Sequence, residues 1–242
     1  MSVNRIFCIG KNYAEHVAEL AHLGHAARAD ESATSVRSAR ESARQARPAP
    51  TSLREGTVSA PDTDCVVFLK PASAVVEEGQ PIMLPKKRGS IHHEAELVVQ
   101  LTGGGRDIPL KHALDSVAGI ALGLDLTLRD LQTELKAKGK PWELAKAFDG
   151  AAPLGDFRPY LDQDLQDIEF TCHVNNELRQ RGNTRDMLYT VKRQIHILSQ
   201  TWSLEPGDVI YTGTPKGVGP LVPGDHVVLE SALTGRYEWR CK

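Results

Sequence analysis

No apolar run in this chain approaches the ~20 residues that span a bilayer, and the opening MSVNRIFCIGKNY carries too short an apolar core for a secretory signal. A soluble, cytoplasmic protein with no membrane partner is therefore expected. Paired cysteines are missing too. Cys8, Cys65, Cys172 and Cys241 stand far apart with no C-x-x-C spacing, which reads as free thiols in a reducing compartment. Neither sign of charge dominates, with 29 Lys and Arg against 31 Asp and Glu, so no net field draws the chain to nucleic acid. There is no internal repeat. Gly213, Gly217 and Gly219 in GTPKGVG allow tight turns but lack the spacing and the following helix of a nucleotide-binding fingerprint.

What is present is 242 residues, enough to bury a sizeable core in one large domain or one domain with an extension. Arg5 to Ile9 reads as a short strand, and Asn12 to Leu20 as a helix capped by Asn12. From Ala26 to Arg47 the chain is mostly Ala, Arg and Ser with no apolar stripe, a solvated helix or mobile insertion that Pro48 and Pro50 end. After Cys65 the pattern turns strand-rich, with short apolar runs at Cys65 to Leu69, Pro81 to Leu84, Glu94 to Leu101 and Ala118 to Leu126. Helical spacing marks Thr127 to Lys138 and Thr190 to Ser203. A hairpin turns at Asn175-Asn176, and strands follow at Asp208 to Thr212 and His226 to Glu230. The expected fold class is α+β, dominated by β-structure.

The chemistry concentrates at Glu94-Ala95-Glu96 and Asp125. EAELVVQL reads as a strand, where residues two apart share a face, so Glu94 and Glu96 can converge on one ion while Asp125 closes the site from a neighbouring strand. Oxygen-only ligation favours Mg²⁺, Mn²⁺ or Ca²⁺ over Zn²⁺, and Mg²⁺ keeps water-filled positions that a substrate can take over. An isolated E-x-E is most simply the solvated face of an edge strand; the surrounding motifs overturn that reading. His92 shares the strand face, but imidazole is a poor partner for Mg²⁺, so a supporting or packing role is assigned to it. His16 and Glu19 lie three apart on the predicted helix, where the carboxylate can orient the imidazole and raise its basicity. Lys86 to Arg88 and Lys136 to Lys140 read as solvated charge clusters.

Six ordered motifs are CIGKNYAEH (Cys8 to His16), VFLKP (Val67 to Pro71), HHEAEL (His92 to Leu97), LDLTLRDLQ (Leu124 to Gln132), KGKPWELAKAFD (Lys138 to Asp149) and YTGTPKGVGP (Tyr211 to Pro220). In them the chain resembles the fumarylacetoacetate hydrolase family, and within it the small acylpyruvase and oxaloacetate decarboxylase branch. The resemblance implies a mixed β-sandwich roll with a few peripheral helices. It implies a homodimer of single catalytic domains over residues 1–242, with a lid at about 12–24 and the insertion at about 25–62. The carboxylates matching Glu94, Glu96 and Asp125 would hold Mg²⁺ or Mn²⁺, with Ca²⁺ able to stand in within a crystal. His16 and Glu19 would form a catalytic dyad on a lid helix that orders with substrate, and Gln132 would position a water or a substrate oxygen. Lys146 would face the substrate carboxylate or the developing oxyanion. Arg129 and Thr214 are the substrate-binding candidates, Arg129 also pairing with Asp130 around its helix start.

The expected activity is hydrolysis of 3-acylpyruvates such as acetylpyruvate or fumarylpyruvate. Water activated through His16 and Glu19 attacks the distal carbonyl, and the ion stabilises the departing pyruvate enolate. The same electron sink serves oxaloacetate decarboxylation, or isomerisation or decarboxylation of an unsaturated 2-oxo diacid in aromatic catabolism. A binding module on an inactive scaffold is the non-enzymatic rival, and retention of every candidate catalytic residue argues against it. One departure from the family pattern is a longer connection between Glu19 and VFLKP, which bears on lid geometry but not on the carboxylates.

Overall fold

The computed structural model describes residues 2–19, 62 and 64–242. The Ala/Arg/Ser-rich insertion and the lid beyond residue 19 lie outside the described residues, apart from residue 62. In chain order, β1 (Ile6–Gly10) leads into helix α1 over residues 14–19, then β2 (Val66–Lys70), β3 (Val75–Glu77), β4 (Ile91–His93), β5 (Ala95–Gly105), β6 (Val117–Leu124) and β7 (Thr127–Leu128). Helices α2 (Arg129–Ala137) and α3 (Glu143–Lys146) precede β8 (Ala152–Leu154), β9 (Arg158–Pro159), β10 (Glu169–Val174) and β11 (Glu177–Asn183). Helix α4 (Val191–Thr201), β12 (Leu204–Tyr211), β13 (Gly219–Leu221), β14 (His226–Ser231) and β15 (Gly235–Arg240) complete the chain.

A mixed sheet runs in the order β2-β1-β12-β5-β6-β8-β3, with β9 attached to β6. Its faces are built by strict alternation. Phe7 and Ile9 of β1, Leu97, Val99 and Leu101 of β5, and Ile120, Leu122 and Leu124 of β6 point to one side. There they meet Phe170, Cys172, Val227, Leu229 and Trp239 of a second sheet, β11-β10-β14-β15, and Ile195 and Leu198 of α4, in one core. Ile6, Cys8, Val98, Ala121 and Tyr211 point the other way and pack with Phe68 and Ala151 in a smaller core. The α+β reading of the sequence is borne out: two packed sheets with few helices outside.

Several local expectations shift by a few residues for identifiable reasons. Thr127 and Leu128 pair with His92 and Ile91 as β7, so α2 starts only at Arg129. Thr190 accepts from the Arg193 N–H and caps α4, which therefore begins at Val191. Asn175 and Asn176 take φ values of 52° and 68°, the paired left-handed conformation of a tight hairpin turn between β10 and β11. Asn12 does not cap α1. It donates to Thr212 O (2.7 Å) and Tyr189 O (3.0 Å) and accepts from Tyr189 N–H (2.6 Å), fastening the approach to α1 onto the end of β12. Pro81 to Leu84 forms no strand; Ile82 makes only an isolated bridge to Cys241. All four cysteines are buried and unpaired. Among the described residues, no helix is long and apolar enough to cross a membrane.

Asp208, fully buried, fixes the N-terminal segment to β12. It accepts from Arg5 Nε (3.0 Å) and Nη2 (2.6 Å), Asn4 Nδ2 (3.1 Å) and the Glu205 N–H (2.8 Å). Asp208→Ala strips the Arg5 Nε and the Glu205 N–H of their acceptor, while Asn4 keeps Glu205 and Arg5 Nη2 keeps the Ser203 carbonyl, and should destabilise the fold by about 2–3 kcal/mol. That is below the ~3–5 kcal/mol of a fully buried broken pair, because Arg5 keeps 30% of its side chain in water. A urea midpoint unchanged from the parent would contradict this.

Candidate active site

The chain changes sheets at Glu94. Strand β4 belongs to a small sheet, β13-β4-β7, whereas β5 begins one residue later in the central sheet. Glu94 thus sits on the junction, and its carbonyl accepts from the Asp125 N–H (2.8 Å) just past the end of β6. The register places Ala95 opposite Leu124 and Glu96 opposite Gly123, which carries Glu94 and Asp125 into a facing pair. Glu94, Glu96 and Asp125 are all buried, and each offers an oxygen within 4.8 Å of those of the other two. The convergence anticipated from the E-x-E spacing is present, although Glu94 itself lies outside the strand.

Three cations are buried with these carboxylates. Lys146 Nζ donates to Glu94 Oε2 (2.8 Å), Asp125 Oδ2 (2.6 Å) and Thr127 Oγ1 (2.6 Å). Lys70 Nζ lies 2.8 Å from Asp125 Oδ1 and donates to the carbonyls of Leu126 and Lys146. Arg129 donates to Glu94 Oε1 and, at 2.7 Å, to Gln132 Oε1. Burial alone would raise the Glu94 pKa, but Lys146 and Arg129 hold it well below the usual carboxylate range. Lys146 loses charge stability through burial and regains more from Asp125 and Glu94, so its pKa is raised.

Glu96 differs. Its only polar partner among the described residues is the Gly213 N–H (2.7 Å), and burial together with Asp125 and Glu94 pushes its pKa well above normal. Gly213 has φ of 105°, and a Cβ there would come within 2.6 Å of Asn12 Cβ, so the backbone can make this contact only as glycine. A desolvated carboxylate repelled by two others and lacking a cation is the environment a divalent ion relieves. Asp125 Oδ1 already faces the Lys70 ammonium at 2.8 Å, so the unmet demand for positive charge centres on Glu96. The donor set fits a hard divalent cation.

A small cleft opens over this cluster. His16 reaches its lining from α1, with Nδ1 3.3 Å from Glu19 Oε2, and Glu19 in turn accepts from the Gly217 N–H. Burial lowers the His16 pKa against the opposing pull of Glu94 and Glu19, which keeps the imidazole neutral near pH 7. Gln132 and Thr214 also line the cleft. The Thr214 hydroxyl, expected to reach a substrate carboxylate, instead donates to Ala95 O (2.9 Å) and accepts from Gln180 Nε2 (2.9 Å). Asp130 accepts from the Ser90 N–H (2.8 Å) outside the cleft. His92 is not among the residues that converge on the cluster.

Sequence reasoning passed over Lys70, Thr127 and Gln180, and it read Lys136 as part of a solvated cluster. Lys136 in fact lines the cleft beside Trp142. The available signal for Lys70 was a lysine inside the apolar run VVFLK, a residue type that is rarely buried without a partner.

The sequence model of the fumarylacetoacetate (FAA) hydrolase C-terminal family matches residues 5–240. The chain belongs to the fumarylacetoacetate hydrolase family. It is 35% identical over 229 residues to oxaloacetate tautomerase YcgM of Escherichia coli (strain K12), covering 94% of this chain and 88% of that protein. It is 43% identical over 170 residues to a mitochondrial oxaloacetate decarboxylase of Dictyostelium discoideum, covering 69% of this chain and 77% of that one. Its fold matches fumarylpyruvate hydrolase from Pseudomonas aeruginosa, solved with Mn²⁺ and pyruvate, at a TM-score of 0.77 and 31% identity over 99% of this chain and 89% of that one. As a member of the fumarylacetoacetate hydrolase family, the protein is an enzyme of a group acting on 2-oxo acids.

His92 supplies a test of the site's electrostatics. Burial and then Arg129 bring its pKa down to about 4. The folded state therefore binds fewer protons than the unfolded chain between about pH 6.5 and 4. The stability this gives is complete above the unfolded value and is lost as pH falls through that window. His92→Gln should flatten the acid side of a plot of melting temperature against pH, measured on metal-free protein in EDTA. An identical slope in parent and variant would remove His92 as a source of acid sensitivity.

Proposed function

We propose that the protein is a divalent-metal-dependent enzyme that moves protons on small 2-oxo dicarboxylates, interconverting the keto and enol forms of oxaloacetate. The observation that carries this reading is the convergence of Glu94, Glu96 and Asp125 with His16 on one small cleft. The relatives named as an oxaloacetate tautomerase and decarboxylase support the substrate class. Mg²⁺ or Mn²⁺ held by the three carboxylates would supply a Lewis acid for the 2-keto oxygen and its neighbouring carboxylate.

The chain's own residues do the rest. Glu19 accepts from His16 Nδ1 and so leaves Nε2 as the basic nitrogen, which takes a proton from C3 of the keto form and, as imidazolium, gives it to the 2-oxo oxygen to complete the enol, the reverse sequence restoring the keto form. The Gly217 N–H holds Glu19 in place. Gln132 has its amide oxygen committed to Arg129, which frees Nε2 to donate to a substrate oxygen. Lys146 and Arg129 fix the carboxylates and bring positive charge beside the bound anion. Phe68 and Trp142 close the side of the cleft and keep water from it.

Hydrolysis of acylpyruvates is the second reading. The His16–Glu19 dyad that favours it is able to activate a water as well as to move a proton at carbon, and the likeness to the Mn²⁺ and pyruvate complex adds support. The deciding experiment follows oxaloacetate enol absorbance, carbon dioxide release and cleavage of acetylpyruvate and fumarylpyruvate, with Mg²⁺ and with EDTA. Tautomerisation far above the other two rates supports the first reading, and dominant acylpyruvate cleavage replaces it with the second. We take the working form to be a homodimer of single catalytic domains, which sedimentation tests.

Two substitutions separate metal binding from proton transfer. Glu96→Ala should abolish calorimetric Mn²⁺ binding together with activity, and a variant that binds Mn²⁺ like the parent would show the site to be misassigned. His16→Ala should keep Mn²⁺ affinity and lose turnover by on the order of 10²-fold or more. Undiminished turnover would take His16 out of the mechanism.

A further inference from the structure

Charge in the cleft is balanced at its inner end and unbalanced at its outer end. Glu94, Glu96 and Asp125 lie among Lys70, Lys146 and Arg129, three charges against three. A divalent ion adds two positive charges there. A 2-oxo acid held by its carboxylate, with negative charge developing on its keto oxygen, returns two negative ones. Lys136 and Lys11 line the same cleft and take no part in that balance.

Lys136 is seven residues from Arg129 and four from Gln132 on α2, so all three project from one helix face toward the cleft. Its Nζ lies 4.8 Å from the centre of the Trp142 ring. Among the described residues it makes no hydrogen bond and has no carboxylate within ion-pairing distance. Burial, and then Arg129, Lys146 and Lys11 against the weaker pull of Glu94, bring its pKa down to about 8. The neighbouring Lys138 shows the contrast: it is exposed and paired with Glu134 at 2.5 Å. Lys136 is therefore a half-buried cation, set against an aromatic face and left without a counter-ion among the described residues, at a cleft that takes anions.

We propose that Lys136, braced on Trp142 and assisted by Lys11, binds the distal carboxylate of a dicarboxylic 2-oxo acid and so selects diacids over monoacids. The inference rests on reading the cleft as a 2-oxo acid site, and it adds the residue that sets which 2-oxo acids enter. Lys136 pairs with the part of the substrate remote from the reacting carbon. Its loss should therefore raise KM and leave kcat nearly unchanged.

Calorimetry with Mn²⁺ distinguishes this from a packing role for Lys136. Two probes are compared: oxalate, which chelates the ion and has no distal carboxylate, and 3,3-difluoro-oxaloacetate, a diacid that cannot enolise. Lys136→Gln should weaken the difluoro diacid about tenfold or more, the loss of one charge-assisted hydrogen bond, and leave oxalate within about twofold. Lys136→Arg should restore most of the diacid affinity. With oxaloacetate as substrate, Lys136→Gln should raise KM in the same proportion. Diacid affinity equal in parent and Lys136→Gln would overturn the proposal, as would parallel weakening of both probes, which is the mark of a structural role. A parent enzyme that turns over no oxaloacetate but still needs Lys136 for the diacid would sink the tautomerase reading and leave this one standing.

Discussion

Six charged side chains buried together at the end of the central sheet set the terms for the rest of the molecule. An ion removed from water loses several kcal/mol of hydration even after the protein relaxes. Glu94, Asp125, Lys70, Lys146 and Arg129 recover that loss only by meeting one another at hydrogen-bonding distance. Each comes from a different part of the chain: the β4–β5 junction, the end of β6, the end of β2, α3 and the start of α2. Moving any of these elements would strand a buried charge, so the cluster ties their positions together.

Glu96 is the member that the other five do not satisfy. It has a backbone N–H where its neighbours have cations, and burial first, then repulsion by Asp125 and Glu94, raises its proton affinity. A protein gains nothing in stability from such a group. Its presence makes sense as a place prepared for external positive charge, within reach of Glu94 and Asp125. Positive charge that arrives there enters among buried side chains, where electrostatic interactions are stronger than in water.

The outer part of the cleft follows a different rule. His16 is neutral and backed by Glu19, while Lys136 and Lys11 carry charge that nothing in the described chain neutralises. Under the proposed reading, the inner end would hold one end of an anion and the rim would meet the other. Relatives of this one scaffold are named for tautomerisation, decarboxylation and hydrolysis, so the fold alone does not fix the reaction and the site must be read residue by residue.

Much of this was legible in the chain before folding was considered. Alternation in EAELVVQL put Glu94 and Glu96 on one side, the hairpin asparagines and the two longer helices declared themselves through local patterns, and the spacing of His16 and Glu19 defined a pair within one helical turn. Local periodicity determines such features because the interacting atoms are only a few residues apart. It could not show that the chain switches sheets at Glu94, that Asn12 is consumed by Thr212 and Tyr189, or that the Thr214 hydroxyl is already spent on Ala95. Nor could it separate Lys136 from Lys138, two similar lysines in one charged run, of which one meets Trp142 at the cleft and the other meets Glu134 at the surface. The sequence by itself determined the carboxylate set, the spacing that pairs His16 with Glu19 and the α+β character. Only the tertiary structure decided which cations are buried against the carboxylates and which line the open cleft, because burial is a property of how distant segments pack.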